Sequence, residues 1–410
     1  MQTDREALIS RLNGALTQQR YSPVLVQNYC SYADQFLRHL DDSGMALNAL
    51  TPADVSDYLS LAVRQFHERY GRCPGPRWAA IPQAAIHALL RRVLGRWPPE
   101  PVFYDPAEVF WRTVCREYEA WLRDARGLAP PSIQALMWEA RHFCAWYIER
   151  IGLPSFKDLN IQDVDDYLAM RASGLRRRSL KDVAERLRSL VRHLHRTGLV
   201  ALDLTPQVVV PVLYAYESIP SALRPDQIET ILSVAREDRS PNGLRDFAML
   251  QLLATYGLRA GEIAKLRLKD IDWYAETLCI RHSKTGAESL LPLMQPVGEA
   301  LLDYLRSGRP ETEAREVFIR TRAPFGPLAG IQNAIRHRIK VAGVEVRGKR
   351  GPHAFRHARA VSLLRAHMPR KLIGDMLGHR STESTIPYLK LATEDLRAIA
   401  LEIPGPEVQS

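Results

Sequence analysis

The sequence predicts a mainly α-helical protein with a small β-sheet in its C-terminal domain (α+β), preceded by helical N-terminal domains. Three observations carry this. Apolar residues recur at helical spacing through most of the chain. Strand-like texture is confined to one stretch, LCIRHSKTGAESLLPL at 278–293, where β-prone residues flank a Lys-Thr-Gly turn and predict a hairpin. Pro-rich segments break the chain twice, at Trp97–Pro106 and Pro206–Pro220. The chain has 410 residues, and at roughly 100–200 residues per domain this is room for two to four domains. The breaks give three: residues 1–98, 105–205 and 217–410.

The first two segments resemble each other. YSPVLVQNYCSYADQFLRHLDDSG followed by ALTPADVSDYL, ending at Leu59, parallels LAPPSIQALMWEARHFCAWYIERIG followed by DLNIQDVDDYL, ending at Leu168. Each has a Pro-marked helix start, an aromatic-rich helix, a Gly stop and an Asp-Val-x-Asp-Tyr-Leu helix. A basic helix follows each, AAIHALLRRVLGRW in the first and SLKDVAERLRSLVRHLHRTG in the second. Two copies are too few for a solenoid, so the pattern reads as a duplicated four-helix unit.

The second basic helix, predicted over 179–197, has an apolar face made by Leu180, Val183, Ala184, Leu187, Val191 and Leu194. Arg178, Lys181, Arg188, Arg192 and His195 lie off that face. A cationic stripe on a packed helix suits contact with a phosphate backbone, and a solvated charged surface is the plainer reading.

In the C-terminal domain, RPDQIETILSVAR opens a helix, and DFAMLQLLATYGLRAGEIAKLRL reads as helix, stop at Gly257, then a second helix. Helices resume after Gly330.

Composition narrows the class. Hydrophobic residues at 46% and charged residues at 25% are those of a folded protein. Lys and Arg outnumber Asp and Glu by 56 to 46, a net charge of +10. Such an excess favours polyanionic partners, of which DNA is the densest. Five cysteines without a C-x-x-C pair argue for reduced thiols and against a zinc or disulfide framework. The N-terminus lacks the apolar core of a signal peptide, and the longest apolar run, Val208–Tyr216, is interrupted by Pro211 and too short to span a bilayer. A cytoplasmic location without membrane association is expected.

Four islands in the C-terminal domain concentrate reactive side chains: TYGLRAGEI with Arg259 and Glu262; HSKTG with Lys284; GPHAFRHARA with His353, Arg356 and His357; and MLGHRSTESTIPYLKL with His379 and Tyr388. The G-L-R, the H-x-x-R-H and the L-G-H followed nine residues later by Tyr388, in this order with a Lys-bearing hairpin second, resemble the tyrosine recombinase family, which includes phage integrases. The resemblance covers about the last 190 residues closely and extends weakly into the helical domain before them. Large versions of this kind, with two helical units ahead of the catalytic domain, resemble recombinases of mobile elements, including the recombinase-in-trio type.

The resemblance implies a catalytic set of Arg259, Lys284, His353, Arg356, His379 and Tyr388, supported by Glu262 and His357, with no metal and no cofactor. Its chemistry is physically coherent. Attack on an anionic phosphodiester requires neutralisation of the non-bridging oxygens, and arginine's planar fork does this without losing its charge. Tyr388 would be the nucleophile, with a phenol of ordinary pKa near 10 that needs a proton acceptor or a cationic site. His353 resembles the family's general acid–base residue, Lys284 its general acid for the leaving 5′-oxygen, and His379 a donor to a non-bridging oxygen. The product would be a 3′-phosphotyrosyl link. Residues 105–205 would clamp double-stranded DNA through Arg178, Lys181, Arg188 and Arg192, residues 1–98 would be an added module, and a homo- or hetero-tetramer would form on DNA. The plainer readings are surface ion pairs for the arginines, a core or surface site for Tyr388, a helix-start position for Glu262 and a packing role for His357. Two other functions stay open at this point: a recombinase relic that binds without cutting, and a type IB topoisomerase.

Overall fold

A computed structural model describes residues 2–75, 78–101, 103–213, 222–282, 286–346, 348 and 350–378. The chain packs as two compact units, one made by Met1–Pro99 together with Ile219–Ser410 and the other by Glu100–Ser218.

The first part of the larger unit is four helices, α1 (Gln2–Gln18), α2 (Pro23–Ser43), α3 (Pro52–Tyr70) and α4 (Ala80–Leu94). Their apolar stripes close a core around Leu12, Phe36, Leu40, Ile86 and Leu89. The smaller unit repeats this construction with α5 (Pro106–Ala120), α6 (Pro130–Ile151), α7 (Ile161–Ala172) and α8 (Arg177–Arg196) around Tyr118, Phe143, Tyr147 and Leu187. The matching sequence features take matching local forms. Both α2 and α6 start on proline and stop at a left-handed glycine, Gly44 and Gly152. That conformation suits glycine because it has no Cβ to clash. Both α3 and α7 start in a capping box, Thr51 with Asp54 and Asn160 with Asp163, in which each side chain binds the other's backbone N–H. In each copy the Tyr of Asp-Tyr-Leu meets a phenylalanine edge-on, Phe36–Tyr58 at 5.0 Å and Phe143–Tyr167 at 5.2 Å between ring centres.

Helix α8 buries Val183, Ala184, Leu187, Leu190, Val191 and Leu194, close to the face expected from its periodicity. It also buries His193, 2% exposed, whose two ring nitrogens have no hydrogen-bond partner among the described residues. The ring lies against Tyr118 and Trp121, at 5.1 and 5.2 Å between centres. Burial, then the nearby Arg196 charge, pushes its pKa down to about 4. Carboxylate Glu139 is also buried here, held by the Tyr167 hydroxyl at 2.8 Å and by Arg171 at 3.6 Å.

The rest of the larger unit is α+β, as the sequence predicts. Its helices are α9 (Pro225–Glu237), α10 (Pro241–Tyr256), the short α11 (Ala260–Ala264), α12 (Gln295–Asp303), α13 (Gln332–Val341), α14 (Pro352–Arg365) and α15 (Arg370–Leu377). Strands β1 (Ile271–Asp272), β2 (Thr277–Arg281) and β3 (Glu288–Pro292) form an antiparallel sheet in sequential order. Helix α10 is the central element, apolar enough to pack against α9, α12 and α14 at once. Its one buried carboxylate, Asp246, is neutralised by Arg245 and by Arg338 of α13 at 2.9 Å. Two tyrosines are structural here: Tyr304 is buried, and the Tyr256 hydroxyl donates to the Pro292 carbonyl at 2.7 Å.

Candidate active site

The turn after α10 organises the site. Helix α10 ends at Gly257 in the left-handed region (φ +65°), where a Cβ would come within 3.0 Å of Leu377 and 3.1 Å of Arg359. Glycine is needed there for both conformation and space. The turn delivers Arg259 as the N-cap of α11, and Glu262, three residues on, closes the cap: its Oε2 accepts from the Arg259 backbone N–H at 2.8 Å. The same carboxylate binds the Arg259 guanidinium, Nη1 to Oε1 at 2.8 Å. Glu262 is fully buried at its side chain. Burial alone would raise its pKa, but the Arg259 backbone N–H, the His282 ring and the Arg259 charge together hold it below the usual range.

Arg259 also donates from Nη2 to the Gly378 carbonyl at 2.8 Å. Arg356, buried on α14, donates from Nη1 to the Gly257 carbonyl at 2.9 Å and from Nη2 to the Leu377 carbonyl at 2.6 Å. Two arginines from separate sequence islands thus hold consecutive carbonyls of the turn that ends α15. That turn leads directly to His379.

His353 is exposed one turn before Arg356, and His357 is half-buried one residue after it, with the two imidazole centres 6.3 Å apart. The structure therefore brings together Arg259, Glu262, Arg356 and the residue preceding His379, with His353 and His357 on the same helix as Arg356. Lys284, His379 and Tyr388 lie outside the described residues. In the smaller unit, Arg178 and Arg192 are exposed on α8, Lys181 pairs with Glu185 at 3.7 Å, and Arg188 turns its Nε to the Thr205 carbonyl at 3.3 Å.

One residue at the centre of the site was missed by sequence reasoning. His282 is 2% exposed, its Nδ1 lies 2.9 Å from Glu262 Oε1 and its Nε2 lies 2.8 Å from Ser289 Oγ. The signal was present in the two-residue period of the strand. Leu278 and Ile280 are buried, and position 282 continues their face. A histidine on an inward face needs partners, which here are a carboxylate and a hydroxyl.

Comparison with known proteins gives the family. Residues 221–395 match the model of the phage integrase family. A protein of Sinorhizobium fredii (strain NBRC 101917 / NGR234) described as integrase/recombinase y4rA is 37% identical over 399 residues, 95% of this chain and 92% of its own. This chain belongs to the phage integrase family of tyrosine recombinases. The recombinase is also 63% identical over 192 residues to integrase/recombinase y4gC of the same organism, covering 47% of this chain and all of that one. Among solved structures it resembles the XerH site-specific recombinase bound to a palindromic difH substrate, with a TM-score of 0.56 at 16% identity, covering 73% of this chain and 98% of that one. It also resembles a lambda integrase tetramer bound to a Holliday junction, with a TM-score of 0.53 at 20% identity, covering 77% and 88%. These likenesses establish the fold, mainly α with a small antiparallel sheet. The enzyme is a tyrosine-type site-specific recombinase.

Proposed function

We propose that this recombinase cuts and rejoins double-stranded DNA through a 3′-phosphotyrosyl intermediate, with Tyr388 as nucleophile, in the movement of a mobile element. The observation that carries this reading is the convergence of Arg259 and Arg356 on the Leu377–Gly378 turn. Two guanidiniums held by a rigid backbone are suited to a phosphate whose negative charge grows during attack. The Tyr388 oxygen attacks phosphorus, and its proton passes to His353. The bond from phosphorus to the 5′-oxygen breaks, and Lys284 protonates that oxygen. His379 donates to a non-bridging oxygen. Rejoining is the same sequence reversed by a new 5′-hydroxyl. The bond energy is retained in the phosphotyrosine, so the cycle needs no nucleotide cofactor.

The two similar structures are of recombinases bound to DNA, XerH on a difH substrate and lambda integrase as a tetramer on a Holliday junction. These support duplex DNA as partner and assembly of protomers upon it. Exposed Arg178 and Arg192 of α8, with Lys181 and Arg188 beside them, are the proposed phosphate contacts of the 105–205 domain, and residues 1–98 are a proposed additional module for flanking DNA or a second recombinase. No helix among the described residues is long and apolar enough to cross a membrane. The proposed site of action is the cytoplasm, where its DNA substrate would lie.

The test is a duplex from the ends of its element, nicked near the exchange point so that cleavage traps the enzyme. Wild-type protein should yield a covalent adduct on a denaturing gel, and Tyr388→Phe should yield none. An adduct that persists in Tyr388→Phe would place the nucleophile elsewhere. A wild type that binds the duplex and leaves it intact would favour the binding-only reading. Relaxation of a plasmid lacking the site would point instead to a topoisomerase.

A further inference from the structure

We propose that His282 is a positioning residue that ties the base of the β2–β3 hairpin, the segment whose sequence bears Lys284, to the Arg259–Glu262 pair. The inference rests on the reading of Lys284 as the acid for the leaving oxygen.

His282 is anchored on every side. Its Nδ1 meets Glu262 Oε1 at 2.9 Å, and the same oxygen holds the Arg259 guanidinium at 2.8 Å. A carboxylate accepts, so Nδ1 carries a proton, and Nε2 is hydrogen-bonded to the Ser289 hydroxyl at 2.8 Å. The ring also lies directly under Gly378, where a Cβ would collide with its Cε1, Nδ1 and Cγ. Residue 378 is the one whose carbonyl Arg259 binds.

The backbone of His282 closes the hairpin. Its N–H donates to the Ala287 carbonyl at 2.8 Å, and its carbonyl accepts from the Gly286 N–H at 2.8 Å. In sequence, Lys284 lies between these residues, two after His282. Below the turn, Arg281 spans Glu288 and Asp270, each at 2.8 Å, so the base of the hairpin is secured apart from the imidazole. What the imidazole adds is a link from the hairpin to the arginine side of the site. Without it, the strands keep their pairing but the hairpin base loses its tie to Glu262. Orientation of a catalytic group within a fraction of an ångström governs how much of its effect is realised.

The proton on the leaving 5′-oxygen provides a readout that a packing role would not move. In a duplex whose scissile 5′-oxygen is replaced by sulfur, the leaving group is a thiolate. A thiol is far more acidic than the corresponding alcohol, so the thiolate departs without a donor. On the duplex that wild-type protein cleaves, Lys284→Ala should slow adduct formation by about 100-fold or more. His282→Ala should slow it by about 10- to 100-fold, and both should recover to within about 10-fold of wild type on the sulfur duplex. Recovery of Lys284→Ala without recovery of His282→Ala would overturn the proposal, because His282 would then act on the arginine side or only in packing. Failure of Lys284→Ala itself to recover would remove Lys284 as the acid, and the proposal with it. If His282→Ala melts early or no longer binds DNA, Ser289→Ala serves instead, since it releases Nε2 and leaves the ring packed. A defect confined to the oxygen duplex supports the proposal, and equal behaviour to wild type on both duplexes overturns it.

Discussion

Arg356 and Gly257 are 99 residues apart in sequence and are joined by a 2.9 Å hydrogen bond from the guanidinium to the main-chain carbonyl. The second Arg356 bond, to Leu377 at 2.6 Å, ties α14 to the end of α15. Arg356→Ala leaves both carbonyls short of a buried donor and should destabilise the protein by about 3 kcal/mol, measured by urea unfolding. Arg356→Lys keeps the charge but has no fork to span two acceptors. It should recover part of the stability while adduct formation stays at least about 100-fold slow.

Glu262 takes both Arg259 and His282 in the buried interior. Glu262→Gln should cost about 3 kcal/mol, as removal of one partner leaves the others' donors uncompensated. The pH dependence has a definite sign. Because the folded-state pKa is depressed, the carboxylate's contribution is whole above its ordinary value of about 4.3 and is lost as pH falls through the lower folded value. The stability gap between wild type and Glu262→Gln should be constant above about pH 5 and narrow below it. A gap that widens in acid would contradict this.

Gly378 combines a left-handed backbone (φ +61°) with direct contact on the His282 ring. Gly378→Ala should therefore fail twice, through strain of about 1 kcal/mol and through displacement of His282. The expected result is a folded protein by circular dichroism with adduct formation slowed at least as much as in His282→Ala.

His193 behaves oppositely to a stabilising histidine. Its folded-state pKa lies at about 4, whereas the unfolded chain takes up the proton near 6.5. Stability is unaffected above that pH and declines as pH falls from about 6.5 to 4, by up to about 3 kcal/mol at roughly 1.4 kcal/mol per pKa unit. His193→Phe should flatten that decline. Urea unfolding of the full-length protein at pH 7 and pH 5, in wild type and His193→Phe, would measure it.

The capping box of α7 is testable on its own. Asn160 accepts from the backbone N–H groups of Gln162 and Asp163 at 2.8 and 3.3 Å. Asn160→Ala should cost about 1 kcal/mol, and Asn160→Ser considerably less, by denaturant titration.

Much of this architecture was legible because each element carries its own local signal. The β2–β3 hairpin announced itself by β-prone residues on both sides of a turn, and Gly257 by its place after an unbroken apolar helix. The face of α8 could be counted, except that His193 shares it, which periodicity alone reads as a polar position. The pairing of Arg259 with Gly378, and of Arg356 with Leu377, could not be read at all. Those bonds depend on how α10, α14 and α15 pack, and hydrophobic pattern says only that they do. His282 was hidden for a different reason. Its neighbour Lys284 matched a motif and drew the chemical interpretation, while the strand period that turns position 282 inward was left unused.

The arginines of the site grip main-chain oxygens, of Gly257, Leu377 and Gly378. A carbonyl is present whatever side chain its residue bears, so the acceptor half of each contact has no codon of its own. In a family alignment these contacts would leave no pair of positions changing together. A search for covarying pairs would pass over the bonds that close the site, and only a three-dimensional description recovers them.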